Sequence, residues 1–376
     1  MFMRSENSTA ANTPRKASAL FFGLMTALVF TLSVQMTPAR ADKGDNADKE
    51  DGDNVTEPVH DRSGNTDQKI RHRMNPETYM QSPFGKGKQI TFKAPSAGTV
   101  AAIGPAISYH GGPIMSSVSK IVVIWYGNWN QGNGTDTPAG QQIIRDALYG
   151  MSLNYGTNNY TGITTGYQSS LGQYTQKKPT LAVTQASSAN LTEFTVPASA
   201  TYGGNTLTDA SIFALVKATI GKPDANAIYL VLTSSEIGES SGFLTKYCGW
   251  HTFGTISNTK VKYGFIGNPS SNLPVCGVQA TSPNGNAGVD AMISIIAHEL
   301  VETVSDPLLN AWYNSTKQEN SDMCSWTFGS RVSVDSNGAY YNVTLPTRTG
   351  YRNYLLQRQL AAGTSKCYID ASSALQ

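Results

Sequence analysis

The run Ala-His-Glu-Leu-Val-Glu at positions 297–302 carries the strongest chemical signal in the 376-residue chain. His298 and Glu302 are four apart, so on a helix an imidazole and a carboxylate project from one side, a turn apart. Glu299 directly follows the histidine. The H-E-x-x-H pattern of zinc peptidases uses this spacing: the residues at i and i+4 ligate the metal, and the first glutamate takes a proton from the metal-bound water. Here a glutamate stands in place of the second histidine. A carboxylate also ligates zinc, but the pattern is then less specific. Taken alone, it is met as well by a helix whose His298 and Glu302 bond to each other and to nearby backbone.

Further acids shift the balance. Asp306 precedes Pro307, and Glu319 and Asp322 lie three apart just ahead of Cys324. Glu319 is about as far beyond Glu302 as the third ligand is in H-E-x-x-H enzymes of the glutamate class. His298, Glu299, Glu302, Asp306, Glu319 and Asp322 thus concentrate in a chain otherwise low in charge. So many acids near one buried helix repel each other unless a cation sits among them. The expectation is a metal site drawn from His298, Glu302, Glu319, Asp322 and Asp306, with Glu299 as general base. One imidazole with carboxylates is a hard donor set, which suits Zn2+ and admits Ca2+ or Mn2+. His251 reads as a bonded loop residue.

The elements that must position these groups follow from periodicity. Val289, Ile293, Ile296, Ala297, Leu300 and Val304 share one side of a helix that begins near Asp290 and stops where Pro307 forces Asp306 out of helical backbone. With Ile295 and Ala291 above His298, that helix is apolar on two sides and belongs inside the protein. Lys120–Tyr126 and Ala227–Thr233 are continuous apolar runs, hence buried strands. Lys262–Ile266, Thr180–Val183 and Glu193–Val196 read as shorter strands. Thr137–Met151 and Thr208–Ile220 keep helical spacing, the second capped by Thr208. This order predicts an α/β (α+β) fold: a mixed sheet with flanking helices, one buried central helix and a zincin-like architecture.

The N-terminal part reads differently. A basic segment, an apolar run over 17–34 and Ala39-Arg40-Ala41 predict a signal peptide over 1–41, cleaved before Asp42. Residues 42–97 are polar and charged, which predicts a disordered leader or pro-segment. The globular domain is expected over 98–376. All four cysteines fall in it, and an even count in a secreted chain predicts two disulfides. Of three possible pairings we take sequence neighbours, Cys248–Cys276 and Cys324–Cys367. A net charge of +2 gives no electrostatic reason to expect nucleic acid as a partner. No segment after the signal peptide is apolar enough for stable membrane insertion. The chain has no Gly-x-Ser-x-Gly elbow, so serine-nucleophile chemistry has little support, and pairing of all four cysteines leaves none for thiol catalysis.

Several stretches resemble the phosphate-induced protein 1 / EXORDIUM-like secreted family. They are Tyr109-His110-Gly-Gly-Pro113 leading into KIVVIWYGNW, then AIYLVLTS, YCGWHTF, FIGN, SPNGNAGVDAMIS and LLNAWYN, in the family's order from Ser108 to Asp370. The resemblance implies an extracellular protein; plant members are associated with cell-wall growth and have no agreed enzymatic activity. The chain departs from the plant pattern at His298-Glu299, where that pattern carries small apolar residues, and is similar there to bacterial secreted relatives.

Two functions follow. One is a secreted, extracellular or periplasmic, zinc-type hydrolase acting on peptides. The other is a non-catalytic protein with a structural metal or none, binding a cell-wall or surface ligand through Trp125, Tyr126, Trp129 and Trp312, aromatics that fit a buried core as well as a binding platform.

Overall fold

The computed structural model describes residues 72–73, 105–116, 118–152, 160–161, 163, 191–277, 279–329 and 332–370. The expected signal peptide, the strand at 180–183 and all of the expected leader except two residues lie outside these.

A mixed six-stranded sheet organises the chain. Its strands are β1 (His72–Arg73), β3 (Lys120–Tyr126), β4 (Leu191–Val196), β6 (Ala227–Thr233), β8 (Gly249–Ile256) and β9 (Thr259–Gly267), in spatial order β1-β8-β9-β6-β3-β4. Strands β4, β3, β6 and β9 run parallel, whereas β8 is antiparallel to β9, and β1 to β8. Short ladders lie outside the sheet. β2 (Ser108–Tyr109) pairs with β10 (Trp312–Tyr313), and β5 (Thr206–Leu207) with β7 (Gly238–Glu239).

Among the described residues, three long helices cover the sheet: α1 (Pro138–Ser152), α2 (Asp209–Thr219) and α3 (Ala287–Ser305). One core lies on the side of α1 and α3. There Ile121, Val123, Ile228, Leu230 and Ile266 pack with Ile144, Met292, Ile293, Ile296 and Leu300. A second lies on the side of α2, where Val122, Tyr229, Val231, Trp250 and Phe265 pack with Ile212, Leu215 and Val216. Helices on both faces are what a parallel sheet needs, and they explain why β3 and β6 are uninterrupted apolar runs. Each large side chain buried this way contributes about 1.5–3 kcal/mol. That is the favourable term against which α3 can carry polar groups inside.

Helix α3 forms where expected, three residues earlier at its start. Asn286 caps it by accepting the Val289 amide, and Thr135 holds the cap by donating its hydroxyl to Asn286. Asp306 ends it outside helical backbone, at φ −140° and ψ 61°, ahead of Pro307. Thr208 caps α2 in a reciprocal box with Ser211. The cysteines pair as Cys248–Cys276 and Cys324–Cys367, and no free cysteine is found among the described residues.

Strand β8 was not legible. Its sequence GWHTFGTI is buried on both faces, so no alternation of apolar and polar residues marks it. Its glycines look like breaks but are close-approach positions. A Cβ at Gly249 would sit 2.6 Å from Cγ2 of Ile295 on α3, and one at Gly254 would sit 2.3 Å from the Phe213 ring on α2. For the aromatics that fit either core or platform, the structure selects the core in three of four cases. Trp125 and Tyr126 are fully buried and Trp129 is 5 % exposed, all three being core residues. Trp312 alone is half-buried, tilted against Tyr109 with ring centroids 5.5 Å apart.

Candidate metal centre

Helix α3, strand β8 and the segment 314–324 converge on one buried cluster. His298, Glu299 and Glu302 enter from α3, where every residue from 291 to 305 is buried. His251 enters from β8, which packs under the same helix. Glu319 and Asp322 enter from a loop built by local hydrogen bonds. Asn314 accepts the Thr316 and Gln318 amides, Asp322 accepts the Glu319 amide at 3.1 Å, and a 3-10 turn follows over Asp322–Cys324. The Cys324–Cys367 disulfide ties that turn to the C-terminal region.

Glu302 is the hub. One carboxylate oxygen, Oε1, lies 3.1 Å from Nε2 of His298 and accepts the Asp322 amide at 2.9 Å. The other, Oε2, lies 3.8 Å from Nε2 of His251. His251 Nε2 is 2.8 Å from Glu319 Oε2, and His298 Nε2 is 3.4 Å from Asp322 Oδ1. Two groups of potential ligand atoms result, each with all its atoms within 4.8 Å of one another: His298, Glu299 and Glu302; and His251, Glu302 and Glu319.

The electrostatics are those of a site short of positive charge. Burial pushes the Glu302 carboxyl up to about 7, the Asp322 charge adds to this, and His298 opposes it. Burial drives Glu319 well above the usual carboxylate range, and Asp306, Glu302, Asp322 and Glu299 push it further. Burial likewise raises Glu299 strongly, against the pull of His298. For His298 burial works downward, but Glu302, Asp322 and Glu299 outweigh it and hold the imidazole well above its ordinary value. Neither carboxylate oxygen of Glu299 has a hydrogen-bond partner among the described residues, although the residue is 1 % exposed. A buried carboxyl without hydrogen bonds is costly, and a cation or an acidic water beside it removes that cost.

The structure brings together His298, Glu299, Glu302, Glu319 and Asp322 as the sequence suggested. Asp306 plays a different part. Its Oδ1 accepts the Asn310 and Ala311 amides at 2.7 Å each, it belongs to neither group of three, and burial pushes it up to about 6. His251 was missed, because its strand was missed. Tyr160 was also missed. Its phenol is fully buried, lacks a hydrogen-bond partner among the described residues, and is pushed up by burial and then by the Glu302 charge. A lone tyrosine in a Gly/Asn/Thr-rich stretch offers no sequence signal for this.

The donor set of imidazole and carboxylate oxygen suits a divalent cation of zinc or manganese type. The cluster is nearly closed: the Asp322 side chain, 11 % exposed, is its most accessible member. A separate cavity of about 770 Å3 lies beyond the C-terminal ends of β3 and β4, lined by Trp129, Asn128, Asn130, Gln131, Gln141 and Glu236 among others, and shares no residue with the cluster. No helix among the described residues is long and apolar enough to cross a membrane.

Comparison with known proteins adds the family. The family described as "Phosphate-induced protein 1 conserved region" matches residues 107–369. Protein EXORDIUM-like 3 of Arabidopsis thaliana is 27 % identical over 63 % of this chain and 76 % of its own length. Protein EXORDIUM of the same plant is 26 % identical over 70 % of this chain and 82 % of its own. Protein PHOSPHATE-INDUCED 1 of Nicotiana tabacum is 23 % identical over 69 % and 87 %. No solved structure matches the chain.

Proposed function

The chain belongs to the phosphate-induced protein 1 family, and we propose that this member is a secreted, metal-dependent hydrolase of zinc type that cleaves peptide bonds. The observation that carries the reading is Glu299. A structural metal site needs no spare acid, whereas a hydrolase needs a carboxylate beside the ligands that is held by nothing else. His298 and Glu302 would hold the metal, with Asp322 or Glu319 completing the set, and a zinc held there would supply Lewis acidity toward a water and the scissile carbonyl. Glu299 then accepts the water's proton as the C–O bond forms, and returns it to the leaving nitrogen as the C–N bond breaks. Tyr160 is a neutral donor suited to the carbonyl oxygen as negative charge develops there. Packing of α3 on β8, an antiparallel strand next to the parallel run β9-β6-β3-β4, supports a zincin-like architecture. The two disulfides support an extracellular or periplasmic setting.

A second reading is favoured by the separate cavity. The amide side chains of Asn128, Asn130, Gln131 and Gln141 with the Glu236 carboxylate are groups that hydrogen-bond sugar hydroxyls, and a nearly closed metal cluster suits a structural role. On this reading the protein binds a cell-wall polysaccharide or surface ligand and turns nothing over.

Elemental analysis with Glu299→Gln separates the two. The hydrolase reading expects zinc in both wild type and variant, with peptide hydrolysis reduced about 10²–10⁴-fold in the variant. Zinc-loaded wild type without hydrolysis of peptide libraries, but with retention on wall polysaccharide, would establish the second reading instead.

A further inference from the structure

We infer that the centre holds two divalent cations bridged by the Glu302 carboxylate; this rests on the metal-dependent reading and specifies it. The two groups of potential ligands share Glu302, and neither contains both histidines. His298 lies against one Glu302 oxygen, at 3.1 Å, and His251 against the other, at 3.8 Å. A mononuclear site would gather both imidazoles around one point; here they stand on opposite arms of one carboxylate. Each arm has its own second acid. On the His251 arm it is Glu319, 2.8 Å from Nε2. On the His298 arm it is Asp322, 3.4 Å from Nε2, with Glu299 also within the group's span. The cluster therefore reads as two half-sites, each an imidazole and a carboxylate, sharing one bridging carboxylate.

The class of ion is a borderline or hard divalent metal, zinc or manganese, given nitrogen and oxygen donors throughout.

The test uses the secreted chain as it exists, dialysed against low-micromolar zinc, with His251→Ala/His298→Ala as the blank for sites elsewhere. Elemental analysis is expected to give two zinc ions per chain above the blank. Exchange with manganese(II) is expected to give a spin-coupled multiline paramagnetic signal, because a shared carboxylate couples the ions. His251→Ala, checked for folding by circular dichroism, is expected to keep one ion and to give an uncoupled six-line signal. One zinc per chain in the wild type, or two manganese ions without coupling, would overturn the bridged pair and leave the metal-dependent reading standing. No zinc above the blank would overturn both.

Discussion

His251 and Glu319, 68 residues apart in the chain, meet at 2.8 Å, and with Glu302 between strand and helix they lock three separate segments onto one buried point. The strand supplies an imidazole, the helix the shared carboxylate, and the disulfide-tied loop a second acid. On the proposed metal-dependent reading, a cation would offset the acidic groups that the fold buries here, which makes metal removal informative.

Chelation should therefore destabilise the protein rather than merely silence it. An ion bound to the native state alone at a hundred times its dissociation constant stabilises by about 2.7 kcal/mol. Stripping the protein with a strong chelator is expected to lower its melting temperature by several degrees, with recovery on adding zinc. Identical melting curves for chelated and zinc-loaded samples would show that no ion contributes to the folded state.

The Cys324–Cys367 disulfide should govern the site more than the fold. It closes a loop of sequence separation 43 and anchors the turn that carries Asp322 next to Glu319. Chain-entropy considerations put such a crosslink at about 3–4 kcal/mol. Replacing both cysteines with serine is expected to weaken metal binding at least tenfold while the sheet, held by β3, β6 and β9, stays folded. Breaking Cys248–Cys276 in the same way tests the opposite case, since that bond joins the start of β8 to the turn Leu273–Cys276. Equal metal loss in the two variants would show that neither disulfide acts locally.

What was legible in the sequence follows from which residues carry periodicity. Strands β3 and β6 and helices α1, α2 and α3 were readable because burial on known faces fixes their apolar spacing, and Pro307 gave the end of α3. The i, i+4 pair His298 and Glu302 was readable for the same reason. His251 was not, because β8 is buried on both faces and interrupted by glycines whose purpose is contact with Ile295 and Phe213. Asp306 was readable as an acid in the right place but not as a helix-end acceptor, a role set by the backbone of 310–311. Trp125 and Tyr126 stayed open between core and platform because an aromatic residue carries no mark of which face it will occupy.

Asp290, in the first turn of α3, offers a pH test away from the metal cluster. Burial pushes its carboxyl up to about 6, against the Asn284 and Ser282 hydrogen bonds and the Arg352 charge. Its folded value thus lies above its unfolded value of 3.8. Between these values the folded state binds more protons than the unfolded one, so stability is lost as pH rises from about 4 to about 6. The loss is of the order of 2–3 kcal/mol for a shift of this size. Asp290→Asn removes the titration and can keep an acceptor for the Asn284 amide, which Asp290 Oδ2 now serves at 3.1 Å. Denaturant unfolding at pH 4 and pH 7 is expected to favour the variant, relative to wild type, by about 2 kcal/mol more at the higher pH. A variant-minus-wild-type difference that does not move between the two pH values would contradict the assignment.

Gly249 connects packing to the site directly. It precedes His251 by two residues on β8, so a Cβ at 249 would face the same side of the sheet as the His251 side chain, toward α3. A Cβ there would stand 2.6 Å from Ile295 Cγ2 and 3.1 Å from the Phe265 carbonyl, neither of which can retreat without moving the helix or the neighbouring strand. Gly249→Ala is expected to cost about 1–3 kcal/mol, as overpacking does, and Gly249→Val more. Because the displaced helix is the one that carries His298 and Glu302, metal affinity should fall together with stability. Second-site Ile295→Val or Ile295→Ala should restore part of both in the Gly249→Ala background, a coupling that a double-mutant cycle reads directly. Strict additivity of the Gly249 and Ile295 changes would show that strand and helix do not press on each other here, and that His251 reaches Glu302 by some other constraint.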